Sequence, residues 1–322
     1  MLSAPRRVSS RVLDAEIPNA RLAVRWIGHS TVLVRMDDRF LLTDPVFTSA
    51  VGQLSYRLVE PGMRAEDLPA LDAVVISHMH FDHLSHESLD EIASKVRWVV
   101  LPSGGLVYLG DYSFRVSELG TWEAHELDGM RITAVPVQHT GWRYVFDGPW
   151  MTRSATAYVV EYHGLVVYFG GDTGFALPLF RDTARRFDRI DLALLPIGPA
   201  SRTVSRRRRH LNPCEALDAF ELLGARTLMP IHFDTFVNAL GEPGFAPAQL
   251  RRLAAERHLG SDRVVVLDIG EQCIIVGAGG EGGGWEGQLA SGDEPRASGQ
   301  NCRIHPQRGT RPSQDPDTDV AR

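Results

Sequence analysis

The sequence predicts an α/β domain whose sheets are covered by helices, and three observations lead there. Apolar runs of strand length come first as closely spaced pairs; farther along they alternate with stretches of helical periodicity. At 322 residues the chain can bury a large core. Its composition, 43% hydrophobic and 23% charged, is that of an ordinary globular protein.

Taken in order, residues 1–20 are polar and aperiodic and read as a loose N-terminal arm. Segments 22–28 and 31–36 read as strands, and Asp37-Asp38 as a hairpin turn into a strand over 40–45. Pro45 ends that strand and leaves Asp44 at its tip. Residues 46–68 lack periodicity and read as a lid-like loop. The apolar run 73–76 enters Ser77-His78-Met79-His80-Phe81-Asp82-His83-Leu84, after which Ser85 caps a predicted helix through Leu89, Ile92 and Ala93. Strands follow over 96–101 and 130–137, the second delivering His139. Segments 155–162 and 165–169 form a predicted hairpin ending at Gly170-Gly171-Asp172-Thr173-Gly174. A buried-type strand spans 191–197. Asn212-Pro213-Cys214-Glu215 opens a helix with an Asn cap, Pro at the first position and Glu at the third, and Gly224 stops it. Residues 227–231 form a strand delivering His232, and strands over 263–267 and 272–276 close the ordered part. From about Ala278 the composition turns to Gly, Glu, Ser, Pro, Gln and Asp, which cannot bury enough apolar surface to fold. The expected organisation is therefore an arm (1–20), a folded domain (21–277) and a disordered tail (278–322).

Bulk properties exclude several function classes. A net charge of −6 and a pI near 6.1 give no electrostatic case for nucleic acid. The three cysteines, Cys214, Cys273 and Cys302, show no C-x-x-C spacing and fit a reducing compartment rather than a disulfide framework. No signal-peptide pattern and no apolar run of membrane-spanning length is visible. These features predict a cytoplasmic protein, with peripheral contact at the inner membrane face left open.

The stretch 77–84 is where chemistry concentrates. Three imidazoles and a carboxylate fall within residues 78–83, directly after a strand. His78 and His80, two apart, point the same way while the chain is extended. Asp82 and His83, adjacent and diverging, suit a second ion beside the first. Neutral imidazole and carboxylate are ligands for zinc and similar ions. His139, Asp172 and His232 share one context with them: each stands just past a predicted strand end. Together they supply ligands for two metals sharing a bridge.

The motifs S-H-M-H-F-D-H, His139, G-G-D-T-G and P-I-H resemble those of the metallo-β-lactamase superfamily over about residues 21–276. That resemblance implies a four-layer αββα sandwich with a dinuclear site at one sheet edge. It implies that His78, His80 and His139 hold one metal, that Asp82, His83 and His232 hold the other, and that Asp172 bridges them. The segments W-I-G-H-S-T-V-L-V (26–34) and L-T-D-P-V-F (42–47) are similar to the branch containing ascorbate-6-phosphate lactonase and N-acyl-phosphatidylethanolamine-hydrolysing phospholipase D. P-V-Q-H (136–139), G-P-W (148–150), P-I-G (196–198), H-L-N-P-C-E-A (210–216) and I-H-F-D-T-F (231–236) look closer to the phospholipase. The chain departs from that pattern in its short N-terminal region and in the unmatched segment 46–66.

Two divalent ions of zinc type, with manganese and iron as alternatives, lower the pKa of a shared water and so provide hydroxide at neutral pH. The resemblance implies a metal-dependent phosphodiesterase acting on a phospholipid. The alternative is a hydrolase of a small lactone or phosphorylated sugar, and a third class is a non-catalytic metal-binding module. Asp82 is expected to serve both as ligand and as acceptor of the nucleophile's proton. His29 and Asp44 are candidates for fixing imidazole orientation, and His210 for contacting phosphate or protonating the leaving group. Arg206 to Arg209 form a run suited to an anionic surface. Trp142, Tyr144, Phe146 and Trp150 offer either an apolar rim or ordinary packing. An apolar groove from segments 46–66 and 141–151 would favour lipid; a small arginine-lined cup would favour sugar.

Overall fold

The computed structural model describes residues 5–8, 17–52, 55–144, 147, 154–198, 209–237 and 242–279. Two sheets dominate. The first takes β1 (Ala20–Gly28), β2 (Thr31–Met36), β3 (Arg39–Thr43), β6 (Leu71–Val75), β7 (Val96–Pro102), β8 (Arg115–Leu119) and β15 (Gln272–Gly277), in the order β15-β1-β2-β3-β6-β7-β8. The second takes β9 (Ala124–Leu127), β10 (Met130–Val135), β11 (Ala157–Tyr162), β12 (Leu165–Phe169), β13 (Leu192–Pro196) and β14 (Thr227–Ile231), in the order β14-β13-β12-β11-β10-β9. A small hairpin, β4 (Ala50–Val51) with β5 (Ser55–Tyr56), lies apart.

Parallel neighbours need crossovers, and the helices supply them. Helix α1 (His86–Ile92) joins β6 to its parallel neighbour β7 and covers the first sheet. Helix α2 (Leu177–Arg186) joins β12 to β13, and α3 (Pro213–Leu223) lies between β13 and β14; both belong to the second sheet. Helix α4 (Phe245–Glu256) packs on α3. The result is helix, sheet, sheet, helix. Every residue of β12, β13 and β14 is buried, so these strands read as continuous apolar runs rather than alternating ones.

One consequence of the topology builds the site. In the first sheet β1, β3 and β6 run the same way, since β1 and β3 each oppose β2 and β3 is parallel to β6. In the second, β10, β12, β13 and β14 share a direction by the same reasoning through β11. At this edge the sheets are tied together: Thr156 donates its N–H to the Ser77 carbonyl at 2.9 Å, and the Tyr158 hydroxyl donates to the Ile76 carbonyl at 2.9 Å.

Several expectations need correction. Residues 263–267 form no strand; only Val264 makes a single bridge, to Leu228. The segment 46–68 is partly core, with Val46, Phe47, Val59 and Met63 buried, while Val51 and Tyr56 in its middle are half-buried and exposed respectively. Buried Arg57 pins it by donating to the carbonyls of Val46 and Thr48. The N-terminal arm is anchored where it is described, since Arg6 pairs with Val59. Residues 1–4 and 9–16 of that arm, and 280–322 of the expected tail, lie outside the described residues. Among the described residues no helix is long and apolar enough to cross a membrane.

Candidate metal centre

Each expected ligand arrives from a strand end at the shared edge. β6 leads into 78–83, β10 into His139, β12 into Asp172 and β14 into His232; β1 and β3 end at His29 and Asp44. Three of these positions, His29, Asp44 and His232, have left-handed backbone, with φ of 54°, 32° and 60°. Such conformations cost a non-glycine residue energy, and they cluster at functional sites. Two glycines allow the close approach. A Cβ on Gly171 would stand 2.3 Å from Ser77 Cβ, and one on Gly198 would stand 2.3 Å from the His232 carbonyl oxygen.

The side chains form two adjoining four-residue groups and a smaller third one, Asp172 with His210 and His232. His78, His80, His139 and Asp172 each place one ligand atom within 4.8 Å of the others; so do His29, Asp82, His83 and His232. In the first group His78 Nε2 lies 2.8 Å from His80 Nδ1, and His139 Nε2 lies 3.4 Å from the same atom. In the second, His83 Nε2 and His232 Nε2 are each 3.7 Å from Asp82 Oδ2. Asp172 stands between them. Its Oδ2 is 3.9 Å from both His78 Nε2 and His139 Nε2 and 3.4 Å from His83 Nε2, while its Oδ1 is 3.1 Å from His232 Nε2. Asp82 and His83 do not diverge as an extended chain would require. The stretch turns here, with the N–H groups of His83 and Leu84 both donating to the His80 carbonyl, so the two side chains converge.

The donor set fits divalent metal. Among the described residues His83 Nε2, His232 Nε2 and Asp172 Oδ1 are buried and have no well-formed hydrogen bond, although they face one another. Buried polar atoms left this way are costly unless a further group satisfies them. The opposite ring nitrogens are engaged outward. His78 Nδ1 meets Ser77 Oγ at 2.9 Å, His83 Nδ1 meets Asp44 Oδ2 at 2.6 Å, His139 Nδ1 donates to the Arg209 carbonyl at 2.9 Å, and His232 Nδ1 donates to the Gly198 carbonyl at 3.1 Å. A proton held on Nδ1 leaves Nε2 with its lone pair aimed inward, as a metal ligand needs.

Electrostatics carry the same signature. Burial alone would raise the Asp172 carboxyl, but the imidazoles of His232, His83 and His210 outweigh it and hold the group well below the carboxylate range. Burial would likewise lower His232; the facing carboxylates of Asp172 and Asp82 offset that and push it up to about 9. At His78 burial and its His neighbours outweigh the pull of Asp172 and drive the group well below the imidazole range, and burial takes His139 down to about 3. Metal-free, the second group therefore carries protons that a cation would displace.

The remaining candidates are close by. His29 Nε2 is 3.1 Å from Asp82 Oδ2, and burial lowers His29 to about 3. Asp44 also accepts from Ser77 N–H and Ser77 Oγ–H, at 2.7 and 2.6 Å. His210 Nδ1 lies 3.4 Å from Asp172 Oδ2, and burial pushes this imidazole down to about 4. Trp142 stacks edge-on against His80, with ring centroids 5.0 Å apart, and Tyr144 packs against Phe81. Phe146, Trp150 and Arg206 to Arg208 lie outside the described residues. Sequence reasoning missed the parts played by Ser77, Arg209 and Gly198. Two of these act through backbone carbonyls, which no side-chain pattern reports.

Beside the metal groups opens a cavity of about 810 Å³, touched by His29, His80, Asp82 and His232. Its walls are mostly apolar and include Val51 and Leu58 from one segment, Trp142 and Tyr144 from another, and Phe236 and Phe245.

A family model described as the beta-lactamase superfamily domain matches residues 39–233, which span the ligand-bearing strands. The chain belongs to this superfamily. It is a metal-dependent hydrolase of metallo-β-lactamase type. Among its relatives, an N-acyl-phosphatidylethanolamine-hydrolysing phospholipase D of Caenorhabditis elegans is 33% identical over 293 residues, 81% of each chain. A metal-dependent hydrolase of Thermococcus onnurineus is 28% identical, over 77% of this chain and 97% of that one. The same fold is seen in a possible metal-dependent hydrolase from Veillonella parvula. That structure matches with a TM-score of 0.63 at 17% identity, over 79% of this chain and 99% of that one.

Proposed function

We propose that this superfamily member is a dinuclear phosphodiesterase of the phospholipase D type. On this reading it cleaves an N-acylated phosphatidylethanolamine to phosphatidate and the N-acylethanolamine. The observation that carries the reading is the apolar cavity beside the ligands, walled by the segments that decide between lipid and sugar. Arg143 is the arginine on its lining among the described residues, and it gives Nη1 to the carbonyls of Met79 and Leu84 rather than to the cavity. That is not a cup for a small anion. The 33% identity to the nematode phospholipase supports the same substrate class.

His78, His80, His139 and Asp172 would hold one ion, and Asp82, His83, His232 and Asp172 the other. Bound there, the ions supply an activated water and neutralise charge on the phosphoryl oxygens. Asp82, 32% exposed at its side chain, faces the cavity and can take the proton that the attacking water loses. His210 is placed to hydrogen-bond a phosphoryl oxygen or the departing alcohol. The apolar walls exclude water from the reacting bond and bind acyl chains. Phe81, Tyr144, Val237 and Phe245, all on the cavity lining and all exposed, offer a surface that can rest on lipid.

The reading is tested by presenting metal-replete protein with the N-acylated phospholipid and, separately, with a phosphorylated sugar lactone. Phosphatidate from the first and no turnover of the second is the expected result. The reverse would move the assignment to a small-metabolite hydrolase of the same superfamily.

A further inference from the structure

The segment after His139 holds one buried cation that the chemistry above does not use. Arg143 is 6% exposed, and its Nη1 donates to the carbonyl of Met79 at 3.1 Å and to that of Leu84 at 2.8 Å. Those carbonyls bracket His80-Phe81-Asp82-His83, the turn that delivers three of the ligands in the proposed site. Met79 and Leu84 are themselves fully buried, so the carbonyls have little access to water. The guanidinium also lies over the Phe81 ring, 4.3 Å from its centroid.

Arg143 is in turn fixed from behind. The N–H groups of Arg143 and Tyr144 both donate to one oxygen of Asp147, the second at 2.7 Å. Gly141 lies so close to Ser154 that a Cβ there would stand 1.7 Å from the Ser154 carbonyl oxygen. The neighbouring Ala155 bridges His78. The ligand turn is thus held at both ends by a side chain whose own backbone is hydrogen-bonded to Asp147 and lies next to the segment before β11.

We propose that Arg143 is a positioning residue for the metal centre, closing the 79–84 turn so that His80, Asp82 and His83 converge. This rests on the metal-site reading given above. One nitrogen serves both carbonyls, so a lysine ammonium at that point can replace it in part, whereas an apolar side chain of similar length cannot. Loss of an outer partner of a metal site costs about 10- to 100-fold in metal affinity.

The test uses the full chain, stripped of metal and reloaded with cobalt(II), as wild type, R143M and R143K. The readouts are cobalt retention against a chelator and the visible spectrum of the bound ion. R143M should release cobalt at about tenfold lower chelator and with shifted bands, and R143K should recover part of both. R143M retaining cobalt like the wild type, with the same spectrum, would overturn the role of Arg143. So would R143K no better than R143M. Should R143M fail to fold, D147A loosens the same turn from outside, and wild-type retention by D147A would overturn the proposal. A wild type that takes up no cobalt would instead overturn the metal-site reading itself.

Discussion

The Asp44 carboxylate meets the outward nitrogen of His83 at 2.6 Å, with both side chains wholly buried. Burial raises the Asp44 carboxyl, and His83 with Ser77 works against that. On the proposed metal-site reading, the pair orients a ligand rather than neutralising a charge at the surface. Asp44→Asn keeps the shape but removes the obligate acceptor, which frees His83 to place its proton on the inward nitrogen. Metal content after dialysis should fall, with affinity lowered about 10- to 100-fold. Unchanged affinity would show that the contact is only structural.

In metal-free protein the proton on His232 is linked to stability. Its imidazole is pushed from the ordinary 6.5 up to about 9, because the carboxylates of Asp172 and Asp82 more than offset burial. The protonated form is favoured in the fold, so this contribution is complete below about 6.5 and disappears as pH rises through about 9. The unfolding midpoint of chelator-treated protein should therefore decline between those values, and His232→Gln should flatten the decline. Metal uptake near pH 7.5 should release protons, seen as a buffer-dependent heat of binding. A heat that does not vary with buffer would contradict this.

The capping box of α3 predicts a separable effect. Asn212 accepts from the N–H groups of Cys214 and Glu215 at 2.9 and 3.0 Å, while Glu215 accepts from Asn212 N–H at 3.1 Å. Asn212→Ala should cost about 1 kcal/mol, read as a midpoint roughly 2–4 °C lower. Metal content should be unchanged, and loss of metal in this variant would mean that the helix start also positions the site.

That helix also marks the limit of what could be read in advance. The helices capped by Ser85 and Asn212 were legible because their side chains accept from the first turn. Helices α2 and α4 follow Ala176 and Gly244, neither of which caps through a side chain, and Pro178 in the first turn of α2 was the sole start signal there. The edge strands β8 and β9 were missed for a similar reason: half-exposed and mixed in composition, they carry no buried apolar run. The central strands were legible because burial on both faces demands continuous apolar residues. At the site, the ligand side chains announce their chemistry, but the convergence of Asp82 with His83 depends on a turn closed locally on the His80 carbonyl and contacted at both ends by Arg143, 64 and 59 residues farther along the chain.

His210 faces the Asp172 carboxylate from outside both four-residue groups, in a third set of candidate ligand atoms with Asp172 and His232. On the proposed role of proton donor to the leaving group, His210→Gln should keep its metal while turnover falls by about 10²-fold. Parallel assays of metal content and kcat check this. Equal loss of both would assign His210 to metal binding instead.

The cavity makes the reading of substrate class testable by size. Trp142→Ala opens the wall beside His80 and removes apolar contact, so KM for long-chain substrate should rise more than KM for a short-chain analogue. Equal changes for both chain lengths would place the acyl chains elsewhere.

The most direct test of the account is phosphatidate release from N-acyl-phosphatidylethanolamine in mixed micelles. It compares metal-replete wild type with Asp172→Ala, which removes the carboxylate standing between the two ligand groups. The account predicts phosphatidate from the wild type and none from the variant. Equal release by both, or none from metal-replete wild type, would contradict it.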